Sequence, residues 1–143
     1  MMEQFQRTEL LLGSEAMEIL SKSHVAVFGI GGVGGHTAEA LVRSGVGAID
    51  LIDNDNVCMS NINRQIFATL SSVGQPKTQV AMKRLLDINP ECKITTHNIF
   101  FMPDTSNLID FSKYDYVVDA IDTITGKIEI IMCSQKAGTP VIS

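Results

Sequence analysis

The stretch HVAVFGIGGVGG, residues 24–35, decides the fold. Val25 to Ile30 make a continuous apolar run, rich in β-branched residues, of the kind buried in a parallel sheet. Five glycines crowd its last seven positions: Gly29, Gly31, Gly32, Gly34 and Gly35. Beyond them Val33, Ala38, Leu41 and Val42 recur at helical spacings, and Gly45 is placed to stop that helix. The stretch reads as strand, tight turn, helix. Gly29, Gly31 and Gly34 match the GxGxxG spacing. Such a turn needs residues free to take positive φ, and a phosphate approaching its amides must meet no Cβ.

Working outward, Ala48 to Ile52 gives a second strand that ends in the acidic cluster Asp53, Asn54, Asp55. Asp53 follows Gly29 by 24 positions, where its carboxylate can accept hydrogen bonds from ribose hydroxyls, so turn and acid together favour an adenine nucleotide. On the amino side, Ser14 to Leu20 reads as a short helix. A polar connection, SNINRQIF, leads to GQPK, and Pro76 suits the first turn of a helix running to about Ile88 along Ala81, Leu85 and Ile88. Lys93 to His97 is a third strand, Asp104 to Phe111 a helix or loop, and Tyr116 to Ile121 a fourth strand ending in DAID. Gly126 to Lys136 reads as helix and Pro140 to Ile142 as the start of a fifth strand. Strands separated by helical patterns require crossover connections, because hairpins cannot join parallel neighbours. The expected fold is α/β, a Rossmann-like doubly wound and mostly parallel sheet, in one domain over residues 1–143.

Composition narrows the function. The chain of 143 residues is 45% hydrophobic and 19% charged, as expected of a packed globular domain rather than a disordered segment. Eleven Lys and Arg against sixteen Asp and Glu give a net charge of −5, which argues against a broad nucleic-acid-binding face. Cys58, Cys92 and Cys133 are scattered, without a CxxC pair, and His24, His36 and His97 show no compact ligand spacing, so a zinc site is not expected. The amino-terminal MMEQFQRTELLLG lacks the apolar core of a secretory signal, and nowhere do eighteen apolar residues run together. The expected location is cytoplasmic, away from membranes.

A hydride-transfer enzyme would open on the same turn, but its nicotinamide needs a second half-site for which the chain has little room. Gly34 is not followed by the GK and Ser or Thr of a Walker loop. Arg64, Lys77 and Asp122 follow strands whose carboxyl ends converge on a nucleotide crevice. Two cations there can meet a triphosphate, and Asp122 can hold Mg²⁺ against it. That collection suits nucleotidyl transfer better than hydride transfer.

GIGGVGG, DNDNVCMSNINRQ, GQPK and DAID, taken in order, resemble the adenylating domain shared by ubiquitin-activating enzymes and the ThiF, MoeB and HesA proteins. RTELLLG, RSGVG, LIDNDNVC, SNINRQIF and INPEC resemble more particularly its tRNA threonylcarbamoyladenosine dehydratase branch, and the likeness spans the chain. The resemblance implies that Gly29, Gly31, Gly32, Gly34 and Asp53 bind ATP, that Asn61, Arg64, Gln65 and Lys77 surround its phosphates, and that Asp122 positions magnesium. Arg7 matches an arginine that reaches the nucleotide site of the second subunit in related homodimers. The implied catalytic set is therefore Arg7, Arg64, Lys77 and Asp122, with ATP and Mg²⁺ as cofactors. The implied partners are a modified tRNA, a second copy of the chain and a sulfur-transfer protein. Family members continue well beyond the counterpart of Ser143, so the sequence is expected to represent an amino-terminal region.

Blander readings stand beside these. Arg64 can be a surface residue paired with an acid, Lys77 can simply face solvent, and Asp122 can cap the helix near Thr125. Two other functions stay open: adenylation of the carboxyl terminus of a ubiquitin-like sulfur carrier, and nucleotide binding by a non-catalytic regulatory protein.

Overall fold

The computed structural model describes residues 2–143. Helices α1 (Gln6–Leu12) and α2 (Ser14–Lys22) precede β1 (His24–Phe28), and α3 (Gly34–Arg43) leads to β2 (Ala48–Ile52). After a coiled connection come α4 (Lys77–Ile88), β3 (Lys93–His97), β4 (Tyr116–Asp119), α5 (Ile124–Ala137) and β5 (Val141–Ile142). The five strands form one parallel sheet in the order β3-β2-β1-β4-β5. The expected doubly wound α/β fold is what the chain adopts. Because the path leaves β1 for β2 on one side and returns from β3 to β4 on the other, the winding reverses between β1 and β4. A crevice opens there at the strands' carboxyl ends.

Alternation along the strands divides the core in two. On one face Val25, Val27, Ile49 and Leu51 pack with Ala38 and Val42 of α3 and with Ala81 and Leu85 of α4. On the other, Ala26, Phe28, Ile52 and Val117 meet Ile130 of α5 and Phe101, Ile109, Phe111 and Tyr114 from the connection between β3 and β4. Each fully buried aliphatic or aromatic side chain stabilises the fold by roughly 1.5–3 kcal/mol. Phe28 is stacked on Phe111 at 5.4 Å and meets the edge of Phe101 at 4.8 Å.

Several boundaries differ from the sequence expectation. The strand expected over residues 25–30 ends at Phe28, because Gly29 turns the chain at φ +88°. The strand expected to reach Ile121 ends at Asp119, after which the chain leaves the sheet. Asp104 to Phe111 contains one short 3-10 turn, Ser106–Leu108, and a second begins at its end, Phe111–Lys113. Helix α1 has no counterpart among the expected elements, because Leu10 and Leu11 are 87% and 82% exposed and present no inward apolar stripe.

Candidate functional site

A cleft of about 690 Å³ occupies the crevice, lined by the loops that follow β1, β2 and β4 together with residues 64–65, 77 and 99–101. Within the glycine turn the residues divide their work. A Cβ on Gly29 would lie 2.6 Å from the Ala120 carbonyl oxygen, and one on Gly34 only 1.6 Å from that of Gly29. Gly29 lets the turn close on the loop after β4, and Gly34 lets α3 close on the turn. Gly29, Gly31 and Gly32 line the cleft, with Gly34 buried beneath the turn.

Asp53 lines the cleft, yet its carboxylate is engaged by the backbone. Oδ2 accepts the Ile30 N–H at 2.7 Å and Oδ1 the Asp55 N–H at 2.8 Å, so the acid fixes the turn's shape. Asn61 is buried outside the cleft lining. Its Oδ1 accepts the Cys58 N–H at 2.9 Å, and its carbonyl accepts the N–H groups of Arg64 and Gln65 at 3.2 and 2.9 Å. It thus builds the turn that presents Arg64 and Gln65, both in the cleft wall. Arg64 Nη1 donates to the Ser60 carbonyl and to Asn63 Oδ1 at 2.9 and 3.0 Å rather than pairing with an acid. A guanidinium carries five N–H donors, which leaves others to face the cleft.

Lys77 is buried, only 8% exposed, contrary to the solvent-facing alternative. A short antiparallel bridge between Asn56 and Pro76 places it, with the Lys77 N–H donating to the Asp55 carbonyl at 3.0 Å. Its ammonium lies 3.7 Å from the Asp55 carboxylate. Asp122 sits in the loop after β4, exposed at the cleft's edge. The residue flanking α5 is Thr123, without a side-chain cap, and among the described residues the Asp122 carboxylate has no hydrogen-bond or ion-pair partner. The other acid of DAID, Asp119, points inward and pairs with Lys127 Nζ at 3.2 Å, tying α5 to β4. Ile52, Ile99, Phe100, Phe101 and Ile121 supply an apolar wall to the cleft. Ile52 and Ile121 end expected strands, whereas Ile99, Phe100 and Phe101 carried no signal beyond an apolar run in a loop.

Arg7 is elsewhere. It lies exposed on α1, whose approach is anchored by Phe5 beside Gly45 and by Gln4 Nε2 donating to the Ile88 carbonyl at 2.9 Å. Helices between parallel strands run antiparallel to them, so the carboxyl end of α4 marks the end of the sheet opposite the cleft. Among the described residues, no group of three or more His, Cys, Asp or Glu could hold a metal ion by itself. The cysteines are unpaired, and burial pushes the Cys92 thiol up to about 11.

The sequence treated His24 and His97 as unrelated, whereas the fold brings both to Asp50. His24 Nε2 lies 2.7 Å from Asp50 Oδ1, His97 Nε2 lies 2.7 Å from Oδ2, and the Tyr114 hydroxyl donates to Oδ2 at 2.8 Å. Burial alone would push the Asp50 carboxyl up, but the hydrogen bonds from His97, His24 and Tyr114 outweigh it and hold it below the usual carboxylate range. Burial and the adjacent Asp50 raise the Tyr114 phenol.

Residues 5–143 match the ThiF family profile. The chain belongs to the ThiF family. Among its relatives, the tRNA threonylcarbamoyladenosine dehydratase of Bacillus subtilis is 48% identical over 143 residues, which cover all of this chain and 56% of that protein. A crystal structure of the Escherichia coli tRNA N6-threonylcarbamoyladenosine dehydratase in complex with ATP superposes with a TM-score of 0.94 at 42% identity. The match covers 97% of this chain and 57% of that one. A sulfur carrier protein adenylyltransferase of Thermus thermophilus is 33% identical over 131 residues, covering 92% of this chain and 48% of its own length. The chain spans about half the length of the ThiF-family relatives it matches. No helix among its described residues is long and apolar enough to cross a membrane.

Proposed function

We propose that the cleft binds ATP and that the protein activates a carboxylate as an acyl adenylate, the carboxylate being that of the threonylcarbamoyl group on a modified adenosine of tRNA. The observation that carries this reading is the likeness, at 0.94 and across 97% of the chain, to a dehydratase solved with ATP. Supporting it, the cleft has one apolar and one charged wall. Ile52, Ile99, Phe100, Phe101 and Ile121 suit a base, while the amides of Gly31 and Gly32 with Arg64, Gln65 and Lys77 suit phosphates.

The carboxylate oxygen attacks the α-phosphorus, the bond to the bridging oxygen breaks, and pyrophosphate departs. Attack by a nucleophilic group of the same modified nucleoside on the activated carbonyl then displaces AMP and closes a ring, and that group's proton is released, so the nucleoside loses the elements of one water. An ionised carboxylate needs no general base, and the protein's task is positioning and charge stabilisation. Lys77, held in a buried seat, and Arg64 would stabilise charge gathering on the departing phosphates.

Three carboxylates, Asp53, Asp55 and Asp122, face the cleft against two cations, Arg64 and Lys77. A triphosphate therefore calls for positive charge from outside these walls. Magnesium fits: the unpartnered Asp122 carboxylate is a hard oxygen donor, and this ion is commonly held by one or two carboxylates together with substrate phosphates. Bound there, it would neutralise phosphate charge. Arg7, at the opposite end of its own sheet, fits a role in the cleft of a second copy, as a homodimer would allow. Cytoplasmic location and a sulfur-transfer partner belong to the same reading.

The test is to incubate the full-length protein with ATP, magnesium and tRNA carrying the threonylcarbamoyl modification, and to weigh the nucleosides by mass spectrometry. Loss of one water is expected. An unchanged nucleoside, from protein that adenylates a sulfur-carrier carboxyl terminus, would favour the second reading drawn from the Thermus relative. ATP binding without pyrophosphate release on either substrate would mark a non-catalytic protein.

A further inference from the structure

We infer that His97, seated on the buried Asp50, is a positioning residue for the nucleotide cleft, tying its separate walls to one fixed point behind the sheet. The inference rests on the ATP reading above and deepens it. Asp50 pairs in register with Ala26 of β1 and Thr95 of β3. Two residues along each strand returns a side chain to the same face, so His24 meets Asp50 from the amino end of β1 and His97 from the carboxyl end of β3. An ionised carboxylate only accepts, so both imidazoles present Nε2–H to it.

The two histidines hold Asp50 at the same distance of 2.7 Å, and their side chains are comparably buried. Their surroundings differ. The His24 backbone N–H donates to Asp115, at the end of the sheet away from the cleft. The His97 carbonyl accepts the Asp53 N–H at 3.1 Å, and Asp53 in turn holds the glycine turn through Ile30 and the Lys77 neighbour Asp55. The next residue, Asn98, accepts a hydrogen bond from Thr78, which is fully buried beside Lys77 in the first turn of α4. The three residues after it, Ile99, Phe100 and Phe101, belong to the apolar wall. Glycine turn, lysine and base wall thus all attach within four residues of His97. Asp50, itself held by His24 and Tyr114, keeps that imidazole from turning.

A purely structural role would make the two histidines equivalent, and the experiment compares them. ATP binding is measured by calorimetry on the full-length protein without tRNA, alongside thermal unfolding, for wild type, His24→Ala, His97→Ala and His97→Gln. Both alanine variants are expected to lose similar thermal stability. Only His97→Ala should weaken ATP binding, by about tenfold, and His97→Gln, which restores an N–H donor, should recover part of the loss. Thr78→Val removes the link to Asn98 with little change of side-chain shape and should weaken ATP binding by a few-fold. It serves as the test where His97→Ala fails to fold. Equal ATP affinity in the two alanine variants, or unchanged affinity in Thr78→Val when His97→Ala does not fold, would overturn the inference. Wild-type protein that does not bind ATP would instead overturn the reading on which it rests.

Discussion

The two faces of β2 are built on different chemistry. Toward α3 and α4 the strand presents Ile49 and Leu51, wholly buried among aliphatic side chains of two regular helices. Toward the irregular connection between β3 and β4 it presents Asp50, buried and held by His24, His97 and Tyr114 from three separate segments. Helices satisfy their own backbone and offer an apolar stripe, so that face closes with hydrocarbon alone. On the face closed by the connection, a stack of aromatic rings and a hydrogen-bonded carboxylate do the packing. The first face should therefore be sensitive to volume and indifferent to pH, and the second sensitive to both.

The largest effect is expected from Leu51→Ala, which empties volume on the helix-covered face and should cost about 3 kcal/mol at any pH where the protein is folded. Thermal unfolding would read it as a fall of roughly 6–12 °C in Tm for a chain of this size. An effect below about 1 kcal/mol would show that this face collapses around the cavity. Next comes Asp50→Asn, expected to cost about 1–3 kcal/mol at neutral pH because donors aimed at a carboxylate lose part of their acceptor. Here the pH dependence has a definite sign. The folded Asp50 carboxyl titrates below its unfolded value, so its stabilisation is complete above the unfolded pKa and lost as pH falls through the folded one. The gap in Tm between wild type and Asp50→Asn should close on acidification, whereas that for Leu51→Ala should persist.

Phe111→Leu, which removes a ring stacked on Phe28 and 5.8 Å from the cleft residue Phe101, should cost about 1 kcal/mol. A change in ATP affinity larger than the change in stability would extend the positioning network to this ring. At the small end, Lys22→Ala removes an exposed pair with Glu18 on α2, and Tm should not move measurably.

The same contrast explains what the sequence disclosed. The helix-covered face was legible because Val25, Val27, Ile49, Leu51, Ala81 and Leu85 recur with the periods of strand and helix. The charged side of the cleft was legible because its turn needs glycine and because Arg64, Lys77 and Asp122, which line it, sit in ordered motifs. Two refinements depended on three-dimensional contacts: Gly34 serves close packing, and Asn61 builds the turn carrying its neighbours. The Asp50 cluster was hidden, since its partners are 26, 47 and 64 residues away and only strand register unites them. The apolar wall of Ile99, Phe100 and Phe101 was hidden because it lies in a loop without periodicity. α1 escaped because its leucines face outward.

If the cleft supports adenylate formation, every turnover releases one pyrophosphate. The full-length protein is mixed with ATP and magnesium, with and without tRNA carrying the threonylcarbamoyl group, for wild type and Lys77→Ala. Release that depends on the modified tRNA, matches AMP in amount and falls at least about a hundredfold in Lys77→Ala is the expected result. ATP bound but not cleaved in the presence of that tRNA, or Lys77→Ala turning over at the wild-type rate, would contradict it.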